Sequence, residues 1–334
     1  MRFSRHVPCE IAGLLRISYN ALRRKSESDA PRHCRFIRTK NVKNPVEVVM
    51  ADFIVADSIV DIHRDPDPSS ELVTQALMNT PVIVGEVSGD WTYVTLPDYS
   101  GWMVTSAIET PIVRGYCEGE GTCGVTLPYS IVVTVPQAKL YQRVQGEQIQ
   151  GEGYLSTVLP YIDLAHSRRL RVALPGDTEG WFARADVAVR NNAELFPQQE
   201  LSVVTAYAKA FLGVPYLWGG TTWRGIDCSA LVQLCYRMGG YILPRDAHLQ
   251  YEALSHDIER EHLQAGDLIF FGRKQITHVA LALNQYEYIH AEGQHINQVT
   301  INSLDKAHPA YADLAEHIWG IKRVHERSEG DEHD

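Results

Sequence analysis

The chain has 334 residues, 45% apolar and 22% charged, with a formal net charge of −10. Its length accommodates two or three domains of ordinary size, and the apolar fraction is normal for a globular protein. The apolar runs fall well short of a membrane span, and the acidic balance disfavours a phosphate-binding surface, so membrane and nucleic-acid partners are not expected.

The first 43 residues depart from the rest, with eleven Lys/Arg from Arg2 to Lys43 against Glu10, Glu27 and Asp29. A basic leader on an acidic body fits a targeting segment, a nucleic-acid arm or a misassigned start codon. As a secretory signal it reads badly, because Glu10 and Arg16 confine its apolar stretch to Ile11–Leu15, shorter than the roughly seven residues such a core needs. Residues 1–45 are therefore expected to be a poorly ordered leader on a cytoplasmic protein. A secreted or periplasmic protein is the alternative if a misassigned start hides a true signal.

After Pro45, short apolar runs separated by turn residues fit strands over 48–62, 82–87, 91–96 and 102–104, a small β-barrel spanning 46–115. A second all-β unit is expected over 116–197, opening on the loop CEGEGTC. Cys117 and Cys123 flank that loop and leave a bridge, a metal site or two plain thiols open. The six cysteines are too irregularly spaced for a disulfide framework. The endings of the two units match: LPDYSGW closes at Trp102 and LPGDTEGW at Trp181, each followed by an apolar strand. A repeated turn–Gly–Trp–strand predicts two related barrels, and it resembles the last hairpin of bacterial SH3-like domains.

Beyond Pro197 the pattern changes. Leu201, Val204, Tyr207, Ala208 and Phe211 recur at helical spacing, and a second helix is expected over 229–238, stopped by Gly239-Gly240. Strands follow over 268–271, 278–283 and 288–290. Helices first and an antiparallel sheet after predict an α+β domain over 198–325, with a charged tail over 326–334.

Cys228 is delivered by a glycine-containing loop to the start of that second helix, where the helix N-terminus favours a thiolate. Cys235, two turns further on among Leu231, Val232 and Leu234, reads as a small core residue. His278 opens a strand after a polar loop, and His290 ends the next one. Adjacent antiparallel strands would bring the two imidazoles together, one to take the thiol proton and the other to hold its tautomer. The spacing offers no helical histidine pair for a metal, and no cofactor is expected.

Tyr216, Trp218, Gly219, Gly220, Asp227, Cys228, Ser229, Gly266, Asp267, Leu268, Thr277, His278, Val279, Ile289 and His290 fall in the order of the NlpC-type cell-wall peptidase signature. The 198–325 segment closely resembles that papain-like family, departing at Ala230, where glycine is usual. The resemblance implies an α+β papain-like NlpC catalytic domain preceded by two small all-β SH3-like barrels. It implies Cys228 as nucleophile, His278 as base and His290 as its orienter, with the Cys228 N–H as oxyanion donor. Members with SH3-like domains ahead of the catalytic domain look like γ-D-glutamyl-L-diamino-acid endopeptidases that trim short murein peptides bearing a free N-terminal L-Ala.

By that resemblance Asp246, in Pro244-Arg245-Asp246, binds the substrate amine, with a helix cap as the competing reading. Tyr99 and Glu71 would contribute from the first barrel, or simply lie at the surface. Trp218 and Tyr216 would line the pocket, although Trp218 also suits a core position. Ser229 would donate to substrate or satisfy its own helix. The expected partner is a murein tripeptide or tetrapeptide acted on by a monomer. A wall-cutting hydrolase, an amidase and a non-catalytic wall-binding protein are the alternatives.

Overall fold

The computed structural model describes residues 53–112, 128–162 and 168–324. The leader with Cys9 and Cys34, the CEGEGTC loop and the charged tail lie outside the described residues. Among the described residues no helix is long and apolar enough to cross a membrane.

The first β unit comprises β1 (Phe53–Val55), β2 (Ile59–His63), β3 (Leu72–Leu77), β4 (Pro81–Ser88), β5 (Trp91–Thr95), β6 (Ser100–Val104) and β7 (Ile108–Glu109), hydrogen-bonded in the order β3-β2-β6-β5-β4-β1-β7. Alternation sorts its faces: in β5, Thr92 and Val94 point inward while Tyr93 and Thr95 stay in solvent. Val55, Ile62, Val82, Val94 and Met103 close the core.

The second β unit comprises β8 (Tyr129–Val133), β9 (Gln137–Tyr141), β10 (Ile149–Tyr154), β11 (Val158–Pro160), β12 (Arg169–Leu174), β13 (Thr178–Ala183) and β14 (Val187–Asn191). They form sheets ordered β10-β9-β13-β12 and β11-β8-β14, bridged by Tyr161 and Val172 around Ile131, Leu140, Leu170 and Phe182. The repeated Gly-Trp pairs occupy equivalent places. Each lies on a strand, β6 or β13, that runs into a 3₁₀ turn (Thr105–Ala107 or Arg184–Asp186) and then a last strand. A Cβ on Gly101 would sit 2.6 Å from Ile62 Cγ2, and one on Gly180 would sit 2.6 Å from Leu140 Cδ1, so neither position has room for a side chain.

The rest of the chain packs three helices on a sheet. Helix α1 (Leu201–Ala210) buries Val204 and Ala208 against the apolar stripe of α2 (Cys228–Met238), in which Ala230, Leu231, Leu234 and Cys235 are inside. The small hairpin β15 (Thr221–Thr222) and β16 (Gly225–Ile226) precedes α2, and a shorter helix, α3 (Ala247–Ala253), follows it. The sheet, ordered β17-β22-β18-β19-β20-β21, is antiparallel and consists of β17 (His256–Asp257), β18 (Leu268–Gly272), β19 (Ile276–Ala282), β20 (Glu287–Glu292), β21 (Gln298–Ser303) and β22 (Ile318–Arg323).

Strand β3 of the first unit lies along the loop that leads into α2. Glu71 Oε1 accepts from Trp218 Nε1 at 2.9 Å, and Gln75 Oε1 accepts from the Thr221 N–H at 2.9 Å. Gly219 adopts φ +74°, and a Cβ there would meet Leu72 O at 2.4 Å. Glycine is thus required both by the backbone conformation and by the approaching strand.

Candidate active site

Three neighbouring strands present polar side chains on the face that alternates with the one packed on α2: Val279, Leu281 and Ile289 join the α2 core, whereas His278 and His290 lie against Phe271 and Tyr288. Leu281 pairs with Ile289 across β19 and β20, and His290 pairs with Thr300 across β20 and β21, so His278, His290 and Asn302 all lie on one side of the sheet. His278 Nε2 is 2.7 Å from His290 Nδ1, and His290 Nε2 is 2.7 Å from Asn302 Oδ1. Asn302 Nδ2 donates to Ala310 O at 2.9 Å, which leaves its Oδ1 facing His290.

The proton positions follow from that anchor. An amide oxygen only accepts, so His290 carries its hydrogen on Nε2, and its Nδ1 is then an acceptor. His278 must donate from Nε2, and its Nδ1 keeps the lone pair. Burial, and secondarily the neighbouring His290, hold His278 well below the ordinary histidine range. His290, 1% exposed, is also lowered by burial. Both imidazoles are therefore neutral at pH 7, and His278 is a base with a directed lone pair.

Cys228 occupies the first turn of α2 with 7% exposure. Burial, then the Asp227 carboxylate, push its thiol up to about 12, against the favourable backbone N–H groups of Val279 and Ser229 and the charge of Arg245. A depressed thiol pKa, expected from the helix N-terminus, is not what results. Desolvation and an adjacent carboxylate outweigh the partial charge of the helix end. The Val279 contact brings the sulfur to the residue after His278. Cys235 is fully buried in the core below, as its apolar neighbours predict.

Asp227 caps α2, its Oδ1 accepting from the Ala230 N–H at 2.8 Å. It also receives Gly219 N–H at 3.0 Å and a two-pronged guanidinium, Arg245 Nη1 at 3.0 Å and Nη2 at 2.6 Å. Arg245, 2% exposed, further donates to Ser229 Oγ at 2.9 Å and through Nε to Thr74 Oγ1 at 3.0 Å. Removing either partner of such a buried pair costs about 3–5 kcal/mol. Gln250 adds a brace, bonding both Ser229 O and Pro244 O.

The remaining expected site residues divide. Asp246 stands at the cap position of α3, but its side chain makes no capping bond; it receives the Tyr99 hydroxyl at 3.5 Å. Tyr216 lies against Gly293, its phenol pushed up by burial and by the charges of Cys228 and Asp227. Three expectations are narrowed by the contacts. The Ser229 hydroxyl donates to Asp227 Oδ1 at 3.1 Å, so its hydrogen is not offered to a substrate. Glu71, expected to bind substrate from the first barrel or to lie at the surface, has its oxygens engaged by Arg64 at 2.6 Å and Trp218 at 2.9 Å. Trp218 is 59% exposed, which rules out a core position, and its indole N–H serves the contact between β3 and the loop.

Sequence reasoning missed Arg245, although it stands inside the Pro-Arg-Asp segment, and Asn302, which one polar residue in a strand does not advertise. It also missed Thr74, whose role depends on a partner far along the chain.

Residues 213–318 match the NlpC/P60 family, and residues 62–108 match the bacterial dipeptidyl-peptidase Sh3 domain. A gamma-D-glutamyl-L-lysine dipeptidyl-peptidase of Bacillus cereus is 30% identical over 67% of this chain and 68% of its own length. The chain belongs to the NlpC/P60 family. Dipeptidyl-peptidase 6 of Lysinibacillus sphaericus is 29% identical over 80% of this chain and 97% of its own. The crystal structure of an NlpC/P60 family protein from Bacillus cereus superposes with a TM-score of 0.68 at 26% identity, covering 81% of this chain and 99% of that one. NlpC/P60 proteins are cysteine peptidases, and this member carries its family domain behind an SH3-like domain.

Proposed function

We propose that this chain is a cysteine endopeptidase that hydrolyses the γ-D-glutamyl–L-diamino acid bond of short murein peptides with a free N-terminal L-Ala, as a step in peptide recycling. The observation that carries the reading is the meeting of Tyr99 and Asp246. A residue of the first β unit directs its hydroxyl to a carboxylate that no helix cap uses, on the segment that also supplies Arg245. A carboxylate so placed suits an ammonium. Relatives named gamma-D-glutamyl-L-lysine dipeptidyl-peptidase support the bond type.

In this reading His278 Nδ1 takes the Cys228 proton as the sulfur attacks the γ-carbonyl carbon. The Cys228 N–H lies in the first turn of α2, where backbone donors lack intrahelical acceptors, and it meets the developing oxyanion. His278 then returns the proton to the leaving amine, and a water it deprotonates releases the acyl group. His290 and Asn302 hold the tautomer throughout. The catalytic part is an α+β papain-like domain, and the second β unit, with its matching Gly-Trp ending, is a second SH3-like barrel.

Incubating the protein with L-Ala-γ-D-Glu-diaminopimelate and its lysine analogue, with products identified by mass, tests the reading. L-Ala-D-Glu and the free diamino acid are expected. Release of peptides from intact sacculi with neither short peptide cleaved would make the enzyme a wall hydrolase instead.

A further inference from the structure

Arg245 organises the start of α2, yet one of its donors leaves the catalytic part of the chain. The two terminal nitrogens hold Asp227 and Ser229, and Nε–H goes to Thr74 Oγ1 on β3. Thr74 is 3% exposed and Arg245 2%, so water has little access to replace the bond. A guanidinium is planar and rigid; fixing Nε sets the plane of the fork that grips Asp227. Asp227 in turn holds the Ala230 and Gly219 N–H groups on either side of Cys228.

We propose that Thr74 is a positioning residue for the nucleophile, orienting Arg245 from the first β unit so that Cys228 is reactive only when that unit is seated. This rests on the reading of Cys228 as nucleophile. The groups that act on the thiol are Asp227, Arg245 and Tyr216, with the N–H groups of Val279 and Ser229; Arg245 itself also feels Asp246. Losing the Thr74 hydroxyl orphans Nε–H and lets the guanidinium turn towards another acceptor. Its screening of Asp227 and its pull on the thiolate both weaken, and both changes make Cys228 harder to ionise. The other contacts of this segment, through Glu71 just before β3 and Leu72 and Gln75 on it, remain. The β unit therefore stays docked while the guanidinium loosens.

The test is alkylation of Cys228 by iodoacetamide across pH in the full chain, followed by the mass of the Cys228 peptide, for wild type, Thr74→Val, Thr74→Ala and Thr74→Ser. Val and Ala are expected to slow alkylation at neutral pH by about three- to tenfold and to move its pH profile upward. On the short peptide they should lower kcat with KM little changed. Ser restores the bond and should stay within about twofold of wild type. Alkylation requires no substrate, so it decides the matter even if the proposed peptide is not cleaved. Wild-type profiles in folded Val and Ala variants, a Ser variant as slow as Val, or loss of fold in both Val and Ala would reduce Thr74 to a packing residue and overturn the proposal.

Discussion

Asn302 Oδ1 stands 2.7 Å from His290 Nε2 and cannot turn its amide without losing Ala310 O. This one contact sets the direction of every proton between Asn302 and His278. Asn302→Ala should lower kcat/KM by about 5- to 30-fold, one hydrogen bond's worth, because His290 can then take the wrong tautomer. His278→Ala removes the base itself and should cost about 100- to 10,000-fold, with His290→Ala between the two. Steady-state kinetics on the short peptide checks the order, and an Asn302→Ala variant as impaired as His278→Ala would contradict it.

The two described thiols lie seven residues apart on α2 but in different surroundings. Cys228 touches backbone N–H groups at the helix start, whereas Cys235 is sealed in the core with its thiol pushed up by burial. Cys228→Ala should abolish turnover and remove iodoacetamide inactivation. Cys235→Ala should leave kcat/KM within about twofold and lower stability by roughly 1 kcal/mol through the small void it leaves. A dead Cys235→Ala variant that remains folded would reverse the assignment.

The pH dependence follows from two shifts of opposite sense. His278 is held below the usual histidine range, so on acidification it stays neutral past pH ~6.5 and protonates only lower down. The thiol is raised to about 12, so it is protonated at neutral pH and gives its proton to His278 as it attacks. The expected kcat/KM profile is a broad plateau whose acid limb lies below pH ~6.5, not a narrow bell centred on a low thiol pKa. An acid limb at or above that value would show that the imidazole is not desolvated in the working enzyme.

The catalytic part was legible because its chemistry sits in local text. A glycine loop feeding Cys228 into an apolar helix, and histidines 12 residues apart on consecutive strands, carry their positions with them. The Gly-Trp endings were legible for the same reason, since packing against Ile62 or Leu140 excludes a side chain at that glycine. What stayed hidden is long-range. Thr74 and Arg245 are 171 residues apart and look like ordinary strand and loop residues until β3 crosses the loop before α2. Glu71 was singled out because the resemblance implies a glutamate upstream of Tyr99, but a resemblance does not reveal that Arg64 already claims it. The thiol's surroundings misled for a related reason: a helix start is readable in sequence, whereas the depth of its burial is set by the elements packed over it.

Asp246 leads to the most discriminating prediction, that the enzyme requires a free amino terminus on its substrate. Its carboxylate does not cap α3 and forms no ion pair among the described residues; it accepts from the Tyr99 hydroxyl. Glu71, with Arg64 and Trp218 on its oxygens, is poorly placed to share the task. An L-Ala ammonium on Asp246 would replace the amide that joins L-Ala to muramic acid in intact wall. Acetylating that nitrogen removes a charge-assisted bond and leaves a partly buried carboxylate against an uncharged group. The expected loss is roughly 2–5 kcal/mol, about 30- to 5,000-fold in kcat/KM, so N-acetyl-L-Ala-γ-D-Glu-diaminopimelate should be a poor substrate. Asp246→Asn should weaken the free peptide far more than the acetylated one and so narrow their ratio. Tyr99→Phe should narrow it less, because at 3.5 Å the phenol contributes a weak bond. Equal cleavage of both peptides by the wild type would remove Asp246 from amine recognition and leave the pocket open towards the glycan.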